Sequence, residues 1–166
     1  RVLDARSKTE NLLALLEQQG KYDTDFWDTC KEQGWTGIAL PEGHGGLDLG
    51  LVELGIVAQA CGAATAGAPF LTSSFGTARA LLAHGSDALK SMWLGRLASG
   101  EAIGTLALGE GQWPVPPQPK LSFAGGRLNG TKPAVSAGLH ADIAVVLASE
   151  AGQPVLVAVA LQGVER

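Results

Sequence analysis

The sequence predicts an α+β protein in which helices come first and short strands follow. Up to about residue 100, apolar residues recur with the spacing of helices, and glycines punctuate the segments. Beyond residue 100, short runs rich in β-branched residues are separated by glycine, proline and polar turns. We therefore expect two domains: an all-helical domain over residues 1–100 and an antiparallel, β-barrel-like domain over residues 101–166.

Two helices are expected in the first part of the chain. Residues 8–18 carry leucines at helical spacing. Residues 24–33 form the second helix, in which Asp23 or Thr24 caps the first amides and Gly34 ends the helix in a left-handed conformation. The glycine-rich segment that follows cannot be a regular helix, so we expect an ordered loop there.

Three more helices follow this loop. Residues 51–61 are largely apolar, so this helix should be buried nearly all round. Residues 72–84 form the next helix, which stops at Gly85. Residues 86–87 cap a last helix, which stops at Gly100.

The β part is predicted from short runs and the turns between them. A hairpin is expected where Gly125 and Gly126 separate two strands. The prolines in residues 112–119 require an extended connection there. The expected strands are residues 102–108, 121–123, 127–128, 133–136, 143–148 and 155–161.

The composition excludes several classes of protein. With 46% apolar residues, 17% charged residues and a net charge of −4, the chain is too apolar to be disordered. Its 12 Lys and Arg residues leave no basis for binding a nucleic-acid backbone. No apolar run approaches the ~18 residues of a membrane span and no signal peptide is visible, so we expect a cytoplasmic protein. The first residue is Arg, so we expect the true start to be missing.

The candidate metal ligands are scattered along the chain. Cys30 and Cys61 lie far apart without a Cys-x-x-Cys spacing, so we expect two buried apolar side chains. His44, His84 and His140 have no partner at a spacing typical of a metal site or a catalytic triad. We therefore predict no metal site.

Three strings occur in a specific order. The string GWTGIALPEGHGG at 34–46 resembles the turn between early helices of acyl-CoA dehydrogenases. Residues 82–101, from LAHGS to LASGE, are similar to the helix pair that ends in Gly-Glu before that family's first strand. The string LNGTK at 128–132, with VS at 135–136 and AD at 141–142, is similar to part of its β domain. Because the order also agrees, the chain is identified as a member of the acyl-CoA dehydrogenase family.

The resemblance implies FAD-dependent α,β-dehydrogenation of an acyl-CoA thioester, in which a carboxylate takes the α-proton and the flavin accepts hydride from Cβ. It also implies a homo-oligomer (dimer or tetramer) or a heteromer with a homologous subunit, and an electron-transfer flavoprotein as acceptor. The family's C-terminal four-helix bundle, which carries the catalytic Glu, is absent from this sequence. No catalytic residue is therefore assigned, and whether the protein or only the sequence is short stays open.

The resemblance also assigns cofactor-binding residues. Leu108 and Gly109 match a strand end whose backbone meets the pyrimidine edge of the flavin, and Val135 and Ser136 match the segment beside the flavin. Glu110, in the same motif, is expected to be structural rather than catalytic.

The chain departs from the family pattern at this site. Gly109 stands in place of Thr, Gly111 in place of Pro and Ala134 in place of an aromatic residue, while residues 112–119 replace a polar string. A lost aromatic contact forfeits roughly 0.5 to 1.5 kcal/mol, and a lost hydrogen bond about 1 kcal/mol. Two alternatives therefore stay open: a flavin-poor structural subunit of a heteromeric acyl-CoA dehydrogenase complex, and a stand-alone binding module.

Overall fold

The computed structural model describes residue 3, residues 9–18 and residues 20–164. Helices precede strands in this part of the chain, as the sequence predicts. Lys8, the expected start of the first helix, lies outside the described residues. The helices are α1 (Thr9–Leu16), α2 (Thr24–Glu32), α3 (Leu51–Ala63), α4 (Ala78–His84) and α5 (Asp87–Ala98).

Two of the helices begin at the predicted caps. The Asp23 carboxylate, rather than Thr24, accepts a hydrogen bond from the N–H of Phe26 at 2.9 Å at the start of α2. The Ser86 hydroxyl accepts one from the N–H of Leu89 at 3.3 Å at the start of α5. After α2, Gly34 has a φ of +68°, which is the left-handed conformation expected of a helix stop.

The prediction that α3 is buried nearly all round is wrong. Only Leu54 and Cys61 of this helix are buried, whereas Leu51, Val52 and Ile56 are 51%, 72% and 62% exposed. An apolar sequence shows that burial of a helix is favourable, but it does not show which other segment covers each face of the helix. The described residues cover only one face of the helix.

The helix predicted over residues 72–84 has two parts. A π-helix, Leu71–Thr77, runs directly into α4. The Thr77 hydroxyl donates to the carbonyl of Thr72, five residues back, at 3.0 Å. π-Helical turns are rare in proteins overall, and those that occur are often found at functional sites. This one places Ser73, Ser74 and Thr77 in the interior.

The β part is a mixed, open sheet, so the prediction of an antiparallel, barrel-like domain is wrong in both respects. The central strand β4 pairs in parallel with β1 and, at one position, with β2, and it pairs in antiparallel with β5. A long connection separates β1 from β4, and only such a connection lets two strands run parallel. The strands are β1 (Gly104–Ala107), β2 (Ser122–Ala124), β3 (Arg127–Asn129), β4 (Ile143–Glu150) and β5 (Gln153–Ala160).

The predicted hairpin is confirmed, whereas the strand expected at 133–136 is not formed. Strands β2 and β3 pair in antiparallel, and Gly125 and Gly126 both have positive φ at the turn between them. Ala134 also has a positive φ of +51°, which is incompatible with an extended strand.

The interior joins the helices to the sheet. Leu94 and Leu97 of α5 pack in one buried cluster with Ile143 and Val145 of β4. A second cluster contains Phe26, Trp27 and Ile103, and the Trp27 indole N–H donates to the carbonyl of Gly100 at 3.1 Å. Because both clusters cross residue 100, the two-domain division stays a prediction.

Both cysteines are buried, as expected. Cys30 is fully buried and Cys61 is 8% exposed. Burial raises the pKa of the Cys30 thiol to about 12, and it raises the pKa of Cys61 as well. Such thiols stay protonated and unreactive at neutral pH.

Candidate functional site

The predicted cofactor-binding residues lie on two segments that contact each other. Leu108 and Gly109 directly follow β1, and Val135 and Ser136 lie in the loop before β4. The Thr105 hydroxyl of β1 donates to the carbonyl of Ser136 at 2.5 Å. The structure thus places the loop of Val135 and Ser136 beside β1, the strand that Leu108 and Gly109 follow.

The loop around Ser136 has an unusual backbone. Ala134 and Ala137, on either side of the predicted pair, have φ values of +51° and +57°. Non-glycine residues rarely adopt such values, and each costs of order 1 kcal/mol. The N–H of Gly138 donates to the carbonyl of Val135 at 3.0 Å, which closes the turn. Val135 packs against the sheet core while Ser136 is exposed.

Two polar groups of these segments fit a ligand that accepts hydrogen bonds. Within the described part of the chain, no residue accepts a hydrogen bond from the N–H of Gly109 or the hydroxyl of Ser136. A flavin ring carries acceptors along its polar edge, so the donors present suit it. Ala134 offers no aromatic face to pack on a ring.

A buried ion pair lies beside these residues. The Lys132 Nζ is 2.7 Å from the Glu110 Oε1, and the two side chains are 5% and 11% exposed. Lys132 also donates to the carbonyl of Leu108 at 3.2 Å. The other oxygen of Glu110 accepts from the N–H of Lys120 at 2.7 Å, and Oε1 also accepts from the N–H of Leu121 at 3.2 Å.

These contacts change the acidity of the carboxyl group. Burial acts to raise the pKa of Glu110, but the hydrogen bonds from Lys132 and from the two backbone amides outweigh it. The pKa of Glu110 is therefore about 2, below its ordinary value of 4.5. A carboxylate that stays ionised and fully bonded is a structural group, which is the role expected for Glu110.

The proline-rich segment forms a loop between β1 and β2. Glu110 and Trp113 exchange two backbone hydrogen bonds of 3.0 and 3.1 Å at its start. The Trp113 side chain is 63% exposed and Val115 is 61% exposed. Because Glu110 binds the amides of Lys120 and Leu121, its side chain closes the base of this loop.

A cleft of about 330 Å³ lies next to Ser136. Its walls come from residues 20–22, 66–69 and 135–140. The His140 Nε2 donates to the carbonyl of Gly20 at 2.5 Å, and the Tyr22 ring meets the His140 ring edge-on at 4.8 Å. Burial raises the pKa of Tyr22, and the nearby Asp28 raises it further. His140 is thus held by contacts that the sequence did not reveal.

The other histidines lie apart from this site. His44 ends a 3₁₀ turn, Glu42–His44, and His84 is the last residue of α4. Among the described residues, no group of three His, Cys, Asp or Glu side chains is placed to hold a metal ion. Within the same part of the chain, no helix is long and apolar enough to cross a membrane.

Sequence reasoning missed two residues of the site. Lys132 was recognised only as part of a motif, although a lysine between predicted strands is a candidate for a buried pair with Glu110. Thr105 lies in an apolar strand, where a single hydroxyl indicates a hydrogen-bond partner across the fold. Both signals are local, but neither names the partner.

Comparison with known proteins gives consistent matches. The model of the family described as acyl-CoA dehydrogenase, N-terminal domain, matches residues 5–101. The acyl-CoA dehydrogenase FadE27 of Mycobacterium tuberculosis is 32% identical over 145 residues, which cover 87% of this chain and 39% of FadE27.

Solved structures match over nearly the whole chain. The ChsE4-ChsE5 complex from Mycobacterium tuberculosis matches with a TM-score of 0.84 and 30% identity, covering 96% of this chain and 44% of that one. The Tcur3481-Tcur3483 steroid ACAD G363A variant matches with a TM-score of 0.84 and 27% identity, over 96% and 45%. A glutaryl-CoA dehydrogenase from Mycobacterium smegmatis in complex with FADH2 matches with a TM-score of 0.78 and 26% identity, over 96% and 42%.

The matched lengths set the scope of the identification. The chain spans 39% of FadE27 and less than half of each of these solved chains. The family model, however, covers more than half of the present chain. The chain belongs to the acyl-CoA dehydrogenase family and corresponds to its N-terminal part.

Proposed function

We propose that this chain is the N-terminal part of an FAD-dependent acyl-CoA dehydrogenase that removes two hydrogens across the Cα–Cβ bond of an acyl-CoA thioester. The observation that supports the proposal is the contact between Thr105 and Ser136, which joins the Ser136 loop to β1, the strand that ends just before Leu108 and Gly109. As part of the proposal, residues 1–100 form the helical domain and residues 101–166 the β domain.

In this proposal, Leu108, Gly109, Val135 and Ser136 hold the flavin. Gly109 and Ser136 supply hydrogen-bond donors, and Val135 fixes the loop by packing on the sheet core. FAD, when bound, supplies the hydride acceptor. The described residues contribute position and hydrogen bonds, and no residue of this chain is assigned as the base that removes the α-proton.

A second candidate function is a flavin-poor subunit of a heteromeric acyl-CoA dehydrogenase. Two matched structures, the ChsE4-ChsE5 complex and the Tcur3481-Tcur3483 steroid ACAD, carry two protein names each. In this chain Gly109 and Ala134 lack the side chains that the family places beside the flavin. Both observations favour an assembly in which a homologous partner supplies part of the flavin site.

The first experiment is to purify the full-length protein that contains this chain, alone and with a co-expressed homologous subunit. The enzyme proposal expects bound FAD and reduction of an artificial acceptor, or of electron-transfer flavoprotein, with an acyl-CoA. The substrate panel should include linear and steroid acyl-CoA thioesters, because one matched protein is a steroid ACAD. FAD only in the mixed complex supports the second candidate. A lack of FAD and activity in both preparations contradicts the enzyme proposal.

A pair of serine variants tests the assigned site. Ser136→Ala removes the exposed hydroxyl, so FAD affinity should fall about fivefold, the effect of one hydrogen bond. Ser122→Ala is the matched control, because Ser122 is also exposed and its hydroxyl donates to the carbonyl of Asn129, away from the candidate site. Equal FAD affinity of both variants contradicts the assignment of Ser136. The expected cytoplasmic location stays a prediction, which fractionation of cells can test.

A further inference from the structure

The buried ion pair between Glu110 and Lys132 connects three segments of the chain. Lys132 lies two residues before Ala134, Glu110 directly follows Gly109, and the Glu110 carboxylate also binds the two amides that immediately precede β2. We propose that Glu110 and Lys132 are positioning residues, which hold the Leu108–Gly109 backbone and the Ser136 loop in the arrangement that a flavin requires. The inference rests on the proposed function.

The cost of burying this pair is the first argument. Lysine is almost never buried unless it is paired, and removing two charges from water costs several kcal/mol. Replacing a buried ion pair by apolar residues of similar size is often neutral or stabilising. Stability alone therefore does not explain a lysine whose side chain is 5% exposed. A positioning role does explain it, because the hydrogen bonds of an ion pair fix the orientation of the groups that they join.

The hydrogen bonds of Lys132 are the second argument. Its Nζ binds the Leu108 carbonyl at 3.2 Å as well as the Glu110 carboxylate at 2.7 Å. The Leu108 carbonyl and the Gly109 N–H belong to the same peptide group. Because Lys132 binds the carbonyl, the orientation of the N–H is fixed and it can donate to a ligand. Lys132 thus acts directly on the peptide between the two residues predicted to bind the flavin.

The proline-rich loop is the third argument. It leaves the sheet immediately after the candidate site and returns at Lys120, so its motion would be transmitted to Gly109 if the base were open. The Glu110 carboxylate closes the base with bonds of 2.7 and 3.2 Å to the amides of Lys120 and Leu121. Glu110 therefore prevents movements of the loop from displacing the backbone that is proposed to bind the flavin.

The test uses the full-length protein, or its complex with a homologous subunit, whichever binds FAD. Lys132→Met removes the charge and keeps most of the length, and the double variant Glu110→Gln with Lys132→Met removes both charges. Arg96→Met is the matched control, because Arg96 forms an exposed pair with Glu101 at 2.9 Å. FAD titration, the absorption spectrum of the saturated flavin and its reduction potential are measured for each variant.

Both Lys132 variants are expected to bind FAD on the order of 10- to 100-fold more weakly, the usual effect of misplaced binding groups. They should also shift the flavin spectrum and potential at saturation, which a loss of stability alone would leave unchanged. Arg96→Met should match the wild type. If Lys132→Met does not fold, the double variant, which leaves no unpaired charge, decides.

Two results separate the inference from the proposed function. If the wild type binds FAD and the folded variants keep its affinity, spectrum and potential, the positioning role is overturned and the proposed function stands. If the wild type binds no FAD, alone or in the complex, the proposed function fails and the inference fails with it.

Discussion

Gly104 and Gly109 stand five residues apart, one at the start of β1 and one beyond its end, and their surroundings are opposite. A Cβ on Gly104 would lie 2.5 Å from the Cβ of the buried Thr77. A Cβ on Gly109 would meet no atom closer than the carbonyl oxygen of Trp113, at 3.4 Å. The first glycine is required by packing, whereas the second leaves space where the family has a threonine.

The difference extends to the polar contacts at the two ends. At the start of β1, the Gly104 N–H donates to the fully buried Ser73 hydroxyl at 3.0 Å. At the far end, the backbone is held by the charged pair of Glu110 and Lys132, and the Gly109 N–H has no partner among the described residues. One end of the strand is closed by the fold, whereas the other leaves a backbone donor without a partner among the described residues.

The largest expected effect is that of Gly104→Ala. The new methyl group would overlap Thr77, so the protein should lose about 3 kcal/mol of stability, the upper range of overpacking. Thermal unfolding of the full-length protein measures this loss. The same substitution at Gly109 is the control and should be nearly neutral, so equal losses would show that the two ends do not differ in packing.

The next effect is that of Ser73→Ala, which leaves the buried N–H of Gly104 without its acceptor. We expect a loss of about 2 kcal/mol, the cost of an unsatisfied buried donor. Ser74→Ala is the control, because the buried Ser74 hydroxyl has no hydrogen-bond partner in the described part of the chain and its removal should be neutral or stabilising. If both variants melt together, the hydrogen bond to Gly104 contributes nothing.

A smaller effect is the dependence of stability on pH that the ion pair of Glu110 and Lys132 produces. The pKa of Glu110 is about 2 in the folded protein and near 4.5 in the unfolded chain. Its contribution to stability is therefore complete above about pH 4.5 and is lost as the pH falls toward 2. With allowance for solvent screening of the pair, its contribution to stability is about 1 kcal/mol. Glu110→Gln should flatten the decline measured by unfolding between pH 5 and 2, and an unchanged slope would contradict this.

The smallest effect on stability is expected for Gly109→Thr. The position has space and no positive φ, so the change should stay within about 0.5 kcal/mol. A hydroxyl there should instead raise FAD affinity by about fivefold, the effect of one added hydrogen bond. FAD titration measures this gain, and Gly109→Val is the control that adds similar volume without a donor. A gain with both variants would assign the effect to packing.

Much of the fold could be predicted because local signals determine it. The caps at Asp23 and Ser86 and the double-glycine turn of the hairpin act within a few residues, and they appear where expected. The parallel pairing of β1 with β4 depends on residues far apart in the chain, and short strands do not encode it. The exposure of α3 was missed for a related reason, since its apolar face carries no information about what covers it.

The candidate site was predictable only as far as motifs reach. The resemblance named Leu108, Gly109, Val135 and Ser136, and in the structure the loop of Val135 and Ser136 contacts β1 through Thr105. The ion pair of Lys132 with Glu110 joins residues 22 positions apart, so no local pattern indicated it. The π-helix was also unforeseen, because its sequence has the apolar spacing of an ordinary helix.

The closed base of the proline-rich loop bears on how this chain can change over generations. The Glu110 carboxylate binds the amides of Lys120 and Leu121 at the base of the loop, so changes at exposed positions between residues 111 and 119 need not alter how β1 and β2 pair with β4. Pro116 and Pro119 are buried, so the variable part is the exposed remainder of this stretch. Its charge and aromatic content can diverge between paralogues, or be changed by an engineer, while the strands on either side stay the same.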